Sequence, residues 1–141
     1  MYTERFTEAH ELLGSINIAA HVGGDSTAWI HMQNYHRAVA IMHVGNSAGT
    51  IDMAIYQATD EHGTGVKAVT SKSITQLSGT DDNAICAIEL RTEELDVVGN
   101  FDWIRVSCES SNVSTYYGVQ VWGVVDRFAP AGNAALTEVV D

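Results

Sequence analysis

The chain has 141 residues, 45% of them hydrophobic and 18% charged, which suits one globular domain with its own core and excludes an intrinsically disordered chain. Eighteen acidic residues against seven lysines and arginines give a formal net charge of −11. Such a surface repels phosphates and anionic lipids, so we expect neither a nucleic-acid partner nor a membrane partner.

The N-terminal segment predicts a short helix or arm over residues 1–14. Its apolar residues recur at spacings of three and four, Thr3 is placed to cap the helix, and Gly14 follows as a stop. The segment lacks the continuous apolar core of a secretion signal, so we expect the chain to be made and used without secretion. The periodic residues are Tyr2, Phe6, Ala9, Leu12 and Leu13.

From Ser15 onward the pattern is that of short strands separated by turn residues. Apolar and polar side chains alternate in several of them, and the last is long enough to bend or to cross between sheets. This pattern predicts an all-β fold, namely a β-sandwich of the jelly-roll type with about eight antiparallel strands. The predicted sandwich covers residues 15–130, and a tail follows over residues 131–141. The predicted strands are Ser15–Ala20, Ala28–Tyr35, Arg37–Val44, Thr50–Ala58, Val66–Ile74, Ala84–Arg91, Phe101–Glu109 and Thr115–Phe128. The predicted breaks include Gly23-Gly24-Asp25, Gly45 to Gly49, Asp60 to Gly65 and Ser110 to Asn112.

The stretch Gly45-Asn46-Ser47-Ala48-Gly49 matches the G-x-S-x-G pattern of a hydrolase nucleophile elbow. That chemistry needs a helix directly after the serine, to help form the oxyanion hole. Here residues 50–55 alternate with period two and predict a strand instead. We therefore expect a β-hairpin turn, in which Ser47 serves the turn and is not a nucleophile.

The remaining patterns predict no catalytic, cofactor or metal site. The loop Asp60–Lys67 has glycines before a lysine but lacks the spacing and the following helix of a phosphate-binding loop, so a hairpin connection is favoured. The six histidines lack the spacing that places two rings on one face, and the acidic clusters match no EF-hand. Cys86 and Cys108 are expected to be buried free thiols, although a disulfide between them stays open at this stage.

The aromatic residues allow two interpretations. They are suited to a sugar-binding face of a β-sandwich module, or to a core and a subunit interface, and the core is the simpler assignment for a small domain. Tyr116 and Tyr117 are adjacent, so a strand directs them to opposite faces. The residues concerned are Trp29, Tyr35, Trp103, Tyr116, Tyr117 and Trp122.

The order of several motifs resembles a group of small virion proteins of tailed bacteriophages. The segments are GTIDMAIYQATDEHGTGVKAVTSKSITQL, DDNAICAIELRTEELDV, FDWIRVSCESSN and VVDRFAPAG. The resemblance covers roughly residues 27–131. The members look like capsid cement, or decoration, proteins with a jelly-roll fold. The resemblance implies a structural virion protein without enzymatic activity, bound to the outer surface of the capsid.

The resemblance also implies the partners, namely the major capsid protein and further copies of the chain in a dimer or trimer. It supplies no functional residues position by position. From the residues themselves we expect partner contacts at Tyr2, Phe6, Leu12, Leu13, Tyr116 and Tyr117. The alternatives are another virion subunit, from the tail or the head–tail connector, and a carbohydrate-binding β-sandwich module.

Overall fold

The structure, a computed structural model, describes residues 4–125 and 135–140. One four-residue helix precedes seven strands, and a short 3₁₀ helix over Thr92–Glu94 follows the sixth strand. The elements are α1 (Phe6–Ala9), β1 (His10–Ser26), β2 (Ile30–His31), β3 (Tyr35–Val44), β4 (Ile51–Ala58), β5 (Lys67–Ser73), β6 (Ile85–Arg91) and β7 (Trp103–Val125). No helix in the described residues is long and apolar enough to span a membrane.

The seven strands form one antiparallel sheet, and the long strand β7 divides it into two halves, which we call the first and the second sheet. In the first sheet the N-terminal half of β7 pairs with β4 on one side. On its other side it pairs with β2 and with the end of β1. Strand β5 pairs with the outer edge of β4. In the second sheet its C-terminal half lies between β3 and the start of β1, and β6 follows β3 outward. The two sheets enclose one hydrophobic core, so the predicted all-β sandwich of jelly-roll type is confirmed.

The alternation predicted from the sequence places the core side chains. In β4, Ile51, Met53 and Ile55 are buried, whereas Asp52 and Ala54 between them are partly exposed. The same period in β7 buries one face of its first half, as expected. The buried residues of that face are Ile104, Val106 and Cys108.

Two predicted boundaries are wrong. The N-terminal helix covers only Phe6–Ala9, and Leu12 and Leu13 lie in β1, because pairing with β7 begins at His10 and outweighs a weak helical pattern. The predicted turn at residues 23–25 lies inside β1, where Gly23 adopts a φ of 73° at a shift in register.

The predicted break at Ser110–Asn112 is also wrong, because β7 is continuous there. His21 pairs with Thr115 and Gly23 pairs with Ser110, so Val22 alone lies opposite residues 111–114. We call these four residues the β7 bulge. A bulge uses the same small polar residues as a turn, but it bends the strand instead of ending it, and here it marks the passage from one sheet to the other.

The segment from Gly45 to Gly49 does not form the predicted hairpin. Strands β3 and β4 do not pair with each other; they pair one after the other with the same side of β7. The connection therefore crosses from the second sheet to the first, directly over the β7 bulge. Asn46 donates a 2.9 Å hydrogen bond to the Ser114 carbonyl, and the Ser111 hydroxyl accepts one of 2.9 Å from the Thr50 N–H.

Candidate interaction surfaces

Ser47 occupies a buried turn in this connection. Its side chain is 3% exposed, and its Oγ lies 2.7 Å from the Ser78 carbonyl oxygen and 3.0 Å from that of Gly49. Its N–H donates to the Asp82 carboxylate at 2.7 Å, and the next element is β4, not a helix. A buried hydroxyl that donates to backbone carbonyls has no access to a substrate, so the expected turn role of Ser47 is confirmed.

The loop between β4 and β5 is the expected hairpin connection. The Asp60 carboxylate accepts hydrogen bonds from the N–H groups of His62 (2.9 Å) and Thr64 (3.0 Å), which fixes the turn without a ligand. Gly63 has a φ of 81°, and a Cβ there would lie 2.8 Å from the Trp29 ring. Asp60 and Gly63 are therefore explained by the structure of the turn itself.

The described residues contain no group of three or more His, Cys, Asp or Glu side chains placed to hold a metal ion. Asp81, in one of the acidic clusters, accepts hydrogen bonds from the backbone and the hydroxyl of Ser78 within its own turn. Cys86 is half-buried, Cys108 is buried, and both are free thiols. The expectation of free thiols is thus confirmed, with Cys86 less buried than predicted.

The aromatic residues do not assemble into one platform. Trp103 stacks on His31 at 4.4 Å, and the guanidinium of Arg105 lies 4.9 Å from the Trp29 ring, so each of these rings has one face covered by its own chain. Trp122 lies in the C-terminal half of β7, where its ring makes a T-shaped contact with the Phe6 ring. Sugar binding by a continuous aromatic face therefore has no basis in this arrangement.

The six predicted contact residues are placed very differently. Tyr117 is completely buried, and Leu13 packs against the core, so both side chains serve the fold and not an open surface. Phe6 and Tyr116 are exposed, which fulfils the expectation that the adjacent tyrosines face opposite ways. Leu12 is half-buried in β1, and Tyr2 lies outside the described residues.

A group of exposed apolar side chains follows strand β1 and the part of β7 that pairs with it. Among the described residues β1 pairs only with β7, so its other edge is unpaired. Residues 15–24 of β1 and residues 110–118 of β7 contain no Asp, Glu, Lys or Arg, although Glu109 pairs with Gly24 and the chain as a whole carries −11. We call this pair of segments the uncharged strip. Its exposed apolar side chains include Ile18 (81% exposed), Val22 (59%), Val113 (65%) and Tyr116 (48%).

Exposed apolar side chains beside an unpaired strand edge are typical of a protein-binding surface, and native proteins commonly protect such edges with charge. The uncharged strip has no Asp, Glu, Lys or Arg to protect the edge of β1. Register shifts after Leu12, Ile16 and His21 interrupt that edge instead. His21 also hydrogen-bonds to the Asn17 carbonyl at 2.8 Å. A partner strand would therefore find only short regular stretches, and side-chain contacts would carry more of the binding than main-chain pairing.

A second surface lies on the outer face of the second sheet, where β3 begins and β6 ends. Here a groove of about 560 Å³ is lined by three of the seven lysines and arginines of the chain. These three cations are Arg37, Lys72 and Arg91, and we call the cavity the basic groove. Its other lining residues include Glu89 and Glu94, so its formal charge is +1, from three cations and two carboxylates, within a chain of −11.

Sequence inspection named only Tyr116 of the uncharged strip as a contact residue, and it missed the basic groove. The strip has a visible signal, the absence of charge over residues 15–24, but its importance depends on that strand being an edge. The basic groove has no such signal, because its cations come from three strands and meet only through the pairing of the sheet.

Neither a family model nor a curated protein matches the chain. Among solved structures, the SPBc2 prophage-derived protein YomS is 11% identical, with 82% of this chain and 92% of that chain covered and a TM-score of 0.48. A chain of the Cowpea mosaic virus empty virus-like particle is 8% identical, covering 99% and 91%, with a TM-score of 0.49. A chain of the Triatoma virus empty capsid is 10% identical, covering 96% of each, with a TM-score of 0.48. The fold assignment above rests on the strand pairing and draws nothing from these likenesses.

Proposed function

We propose that this chain is a structural protein of a tailed-bacteriophage virion, and that it binds the outer surface of the capsid as a cement or decoration protein. The motif order that resembles such proteins supports this proposal. The uncharged strip is the structural observation that carries it, because it offers an acidic protein one surface on which contact brings no charge repulsion.

The strip suits attachment to a symmetric shell. Each copy contributes a modest apolar contact through Ile18, Val22 and Tyr116, and copies that also contact one another bind through combined contacts. The turn role of Ser47 and the lack of a metal-binding group in the described part of the chain are in keeping with a role in binding rather than catalysis. The major capsid protein is the partner in this proposal.

The test is co-sedimentation of the purified chain with empty expanded capsids that lack it. We expect saturable binding, with many copies per particle in a number set by the shell symmetry. A single ring of copies at one vertex would instead indicate a connector subunit. Absence of binding to capsids would overturn the proposal.

The strip itself is tested by the double variant Ile18→Lys and Val22→Lys. Both side chains are exposed, so we expect the fold to persist and capsid binding to weaken about tenfold or more, since two charges would have to be desolvated. Val98→Lys is the matched control, because Val98 is 97% exposed in the loop before β7. Equal binding by the double variant and the control would remove the strip as the contact surface.

The N-terminal arm is tested separately by deleting residues 1–9, which leaves β1 intact. The deletion removes Tyr2 and Phe6, and the arm proposal expects weaker capsid binding with an unchanged melting temperature. Unchanged binding would restrict the contact to the β domain.

A further inference from the structure

We propose that the basic groove of one copy binds the acidic C-terminal tail of a second copy. The central observation is a register position: Arg37 of β3 and Arg91 of β6 are directly opposite each other. Like charges at opposite positions of neighbouring strands destabilise a sheet. Two arginines at opposite positions of neighbouring strands therefore form a site that a carboxylate stabilises, preferably through paired hydrogen bonds.

The chain provides little internal compensation for this arginine pair. Arg37 makes no ion pair with any described residue. The Arg91 guanidinium lies 3.6 Å from the Glu93 carboxylate, with the two side chains 70% and 76% exposed, and its charge also attracts the Glu94 carboxylate. Lys72 is different, since it is held by Glu94 at 3.0 Å and by the Glu89 carbonyl at 2.8 Å. The two arginines are thus the cations of the groove that are available to a ligand.

The groove combines these cations with apolar lining. Val39, Trp122 and Val124 line it together with Arg37 and Arg91. The ligand it fits is an extended segment with carboxylates next to aliphatic side chains, not an isolated inorganic anion.

The C-terminal tail has this composition. Its last five residues read Thr-Glu-Val-Val-Asp, so the segment 137–141 carries two acidic side chains and two valines. Val139 and Val140 are exposed, and Glu138 makes no ion pair within the described residues. Charge and apolar character therefore match between tail and groove, and residues 137–140 are exposed.

The position of the tail favours exchange between copies. Val124, one residue before the end of β7, lines the groove, so β7 ends beside it. The ten residue steps from Val125 to Ala135 span at most about 35 Å. Two copies whose grooves face each other within that distance can exchange tails symmetrically, with the same contact made twice.

The test uses the purified full chain and does not depend on the proposed virion role. Sedimentation equilibrium at low ionic strength should give concentration-dependent self-association that weakens as salt screens the contact. The tail variant Glu138→Gln with Asp141→Asn, and the groove variant Arg37→Gln with Arg91→Gln, should each weaken it about tenfold. Glu61→Gln, which removes one exposed carboxylate from the β4–β5 loop, is the control and should leave association unchanged.

A charge exchange provides the decisive comparison. Arg37→Glu with Arg91→Glu should abolish association, and so should Glu138→Lys with Asp141→Lys, whereas the four substitutions together should restore it. The tail variants lie outside the β domain, so they keep the test valid if a groove variant fails to fold. A chain that is monomeric at all concentrations, or one whose association is insensitive to the tail variants, would overturn the proposal.

Discussion

Gly49 approaches Ser111 so closely that a Cβ on the glycine would lie 2.5 Å from the Ser111 Oγ and 2.7 Å from the Asn112 Cβ. This contact joins the connection between β3 and β4 to the β7 bulge. The Ser111 N–H also donates to the Thr50 carbonyl at 3.1 Å, so the contact is held by hydrogen bonds on both sides. The place where the chain passes from one sheet to the other is therefore packed too tightly for a side chain.

Gly49→Ala should destabilise the fold, because the added methyl group forces the connection away from the bulge. We expect a loss of about 1–3 kcal/mol in the free energy of unfolding, the usual cost of overpacking. Denaturant unfolding followed by tryptophan fluorescence measures it. Gly24→Ala is the control, because a Cβ at Gly24 meets nothing within 4 Å and its φ is not positive. Equal stability of both variants would contradict the packing argument.

Ser47→Ala should reduce stability without removing any activity. The substitution removes the buried hydroxyl that donates to the Ser78 and Gly49 carbonyls, at a cost of about 1 kcal/mol. Ser15→Ala, at an exposed position of β1, should change stability little. A fluorophosphonate probe should fail to label the wild-type chain, and labelling at Ser47 would contradict the turn assignment.

The sequence predicted best what depends on local alternation. The period of two in residues 51–55 identified both the strand and its buried face, because that face packs against one core. The breaks at residues 23–25 and 110–112 were predicted less well, because Gly, Ser and Asn supply the same backbone conformations to a bulge as to a turn.

The interaction surfaces could not be predicted, because they depend on which strands pair and in which register. A shift of one residue between β3 and β6 would separate Arg37 from Arg91 and remove the arginine pair. In the same way, the composition of residues 15–24 becomes meaningful only once β1 is known to be an edge. Pairing between distant segments is a property of the whole fold and leaves no local pattern.

The Asp60 carboxylate should make stability depend on acid pH. Hydrogen bonds from the Thr64 side chain and backbone, and from the His62 N–H, lower the pKa of Asp60 below its ordinary value. A group whose pKa is lower in the folded state stabilises the fold above its unfolded-state pKa, and this contribution is lost as the pH falls through the folded pKa. Acidification from pH 7 towards pH 3 should therefore lower the melting temperature.

Asp60→Asn isolates this contribution. The variant should melt below the wild type at pH 7, and its melting temperature should fall less on acidification. Glu61→Gln is the matched control, since Glu61 contacts only the His62 ring, at 3.6 Å, and should keep the wild-type pH dependence. If the melting temperatures of Asp60→Asn and of the wild type fall by equal amounts between pH 7 and pH 3, the carboxylate does not stabilise the turn through its charge.

The two cysteines should differ in reactivity in the folded chain. Burial, with a smaller effect of Asp25, raises the pKa of the Cys108 thiol to about 12, so almost no thiolate forms at pH 8. Burial and the charge of Asp81 also raise the pKa of Cys86, but that thiol is only half-buried. Iodoacetamide at pH 8 should therefore modify Cys86 slowly and Cys108 only after unfolding, which peptide mass spectrometry resolves. The Cys86→Ser variant should take up no label until denaturant is added; labelling of its folded form would show that β4 and β7 open around Cys108.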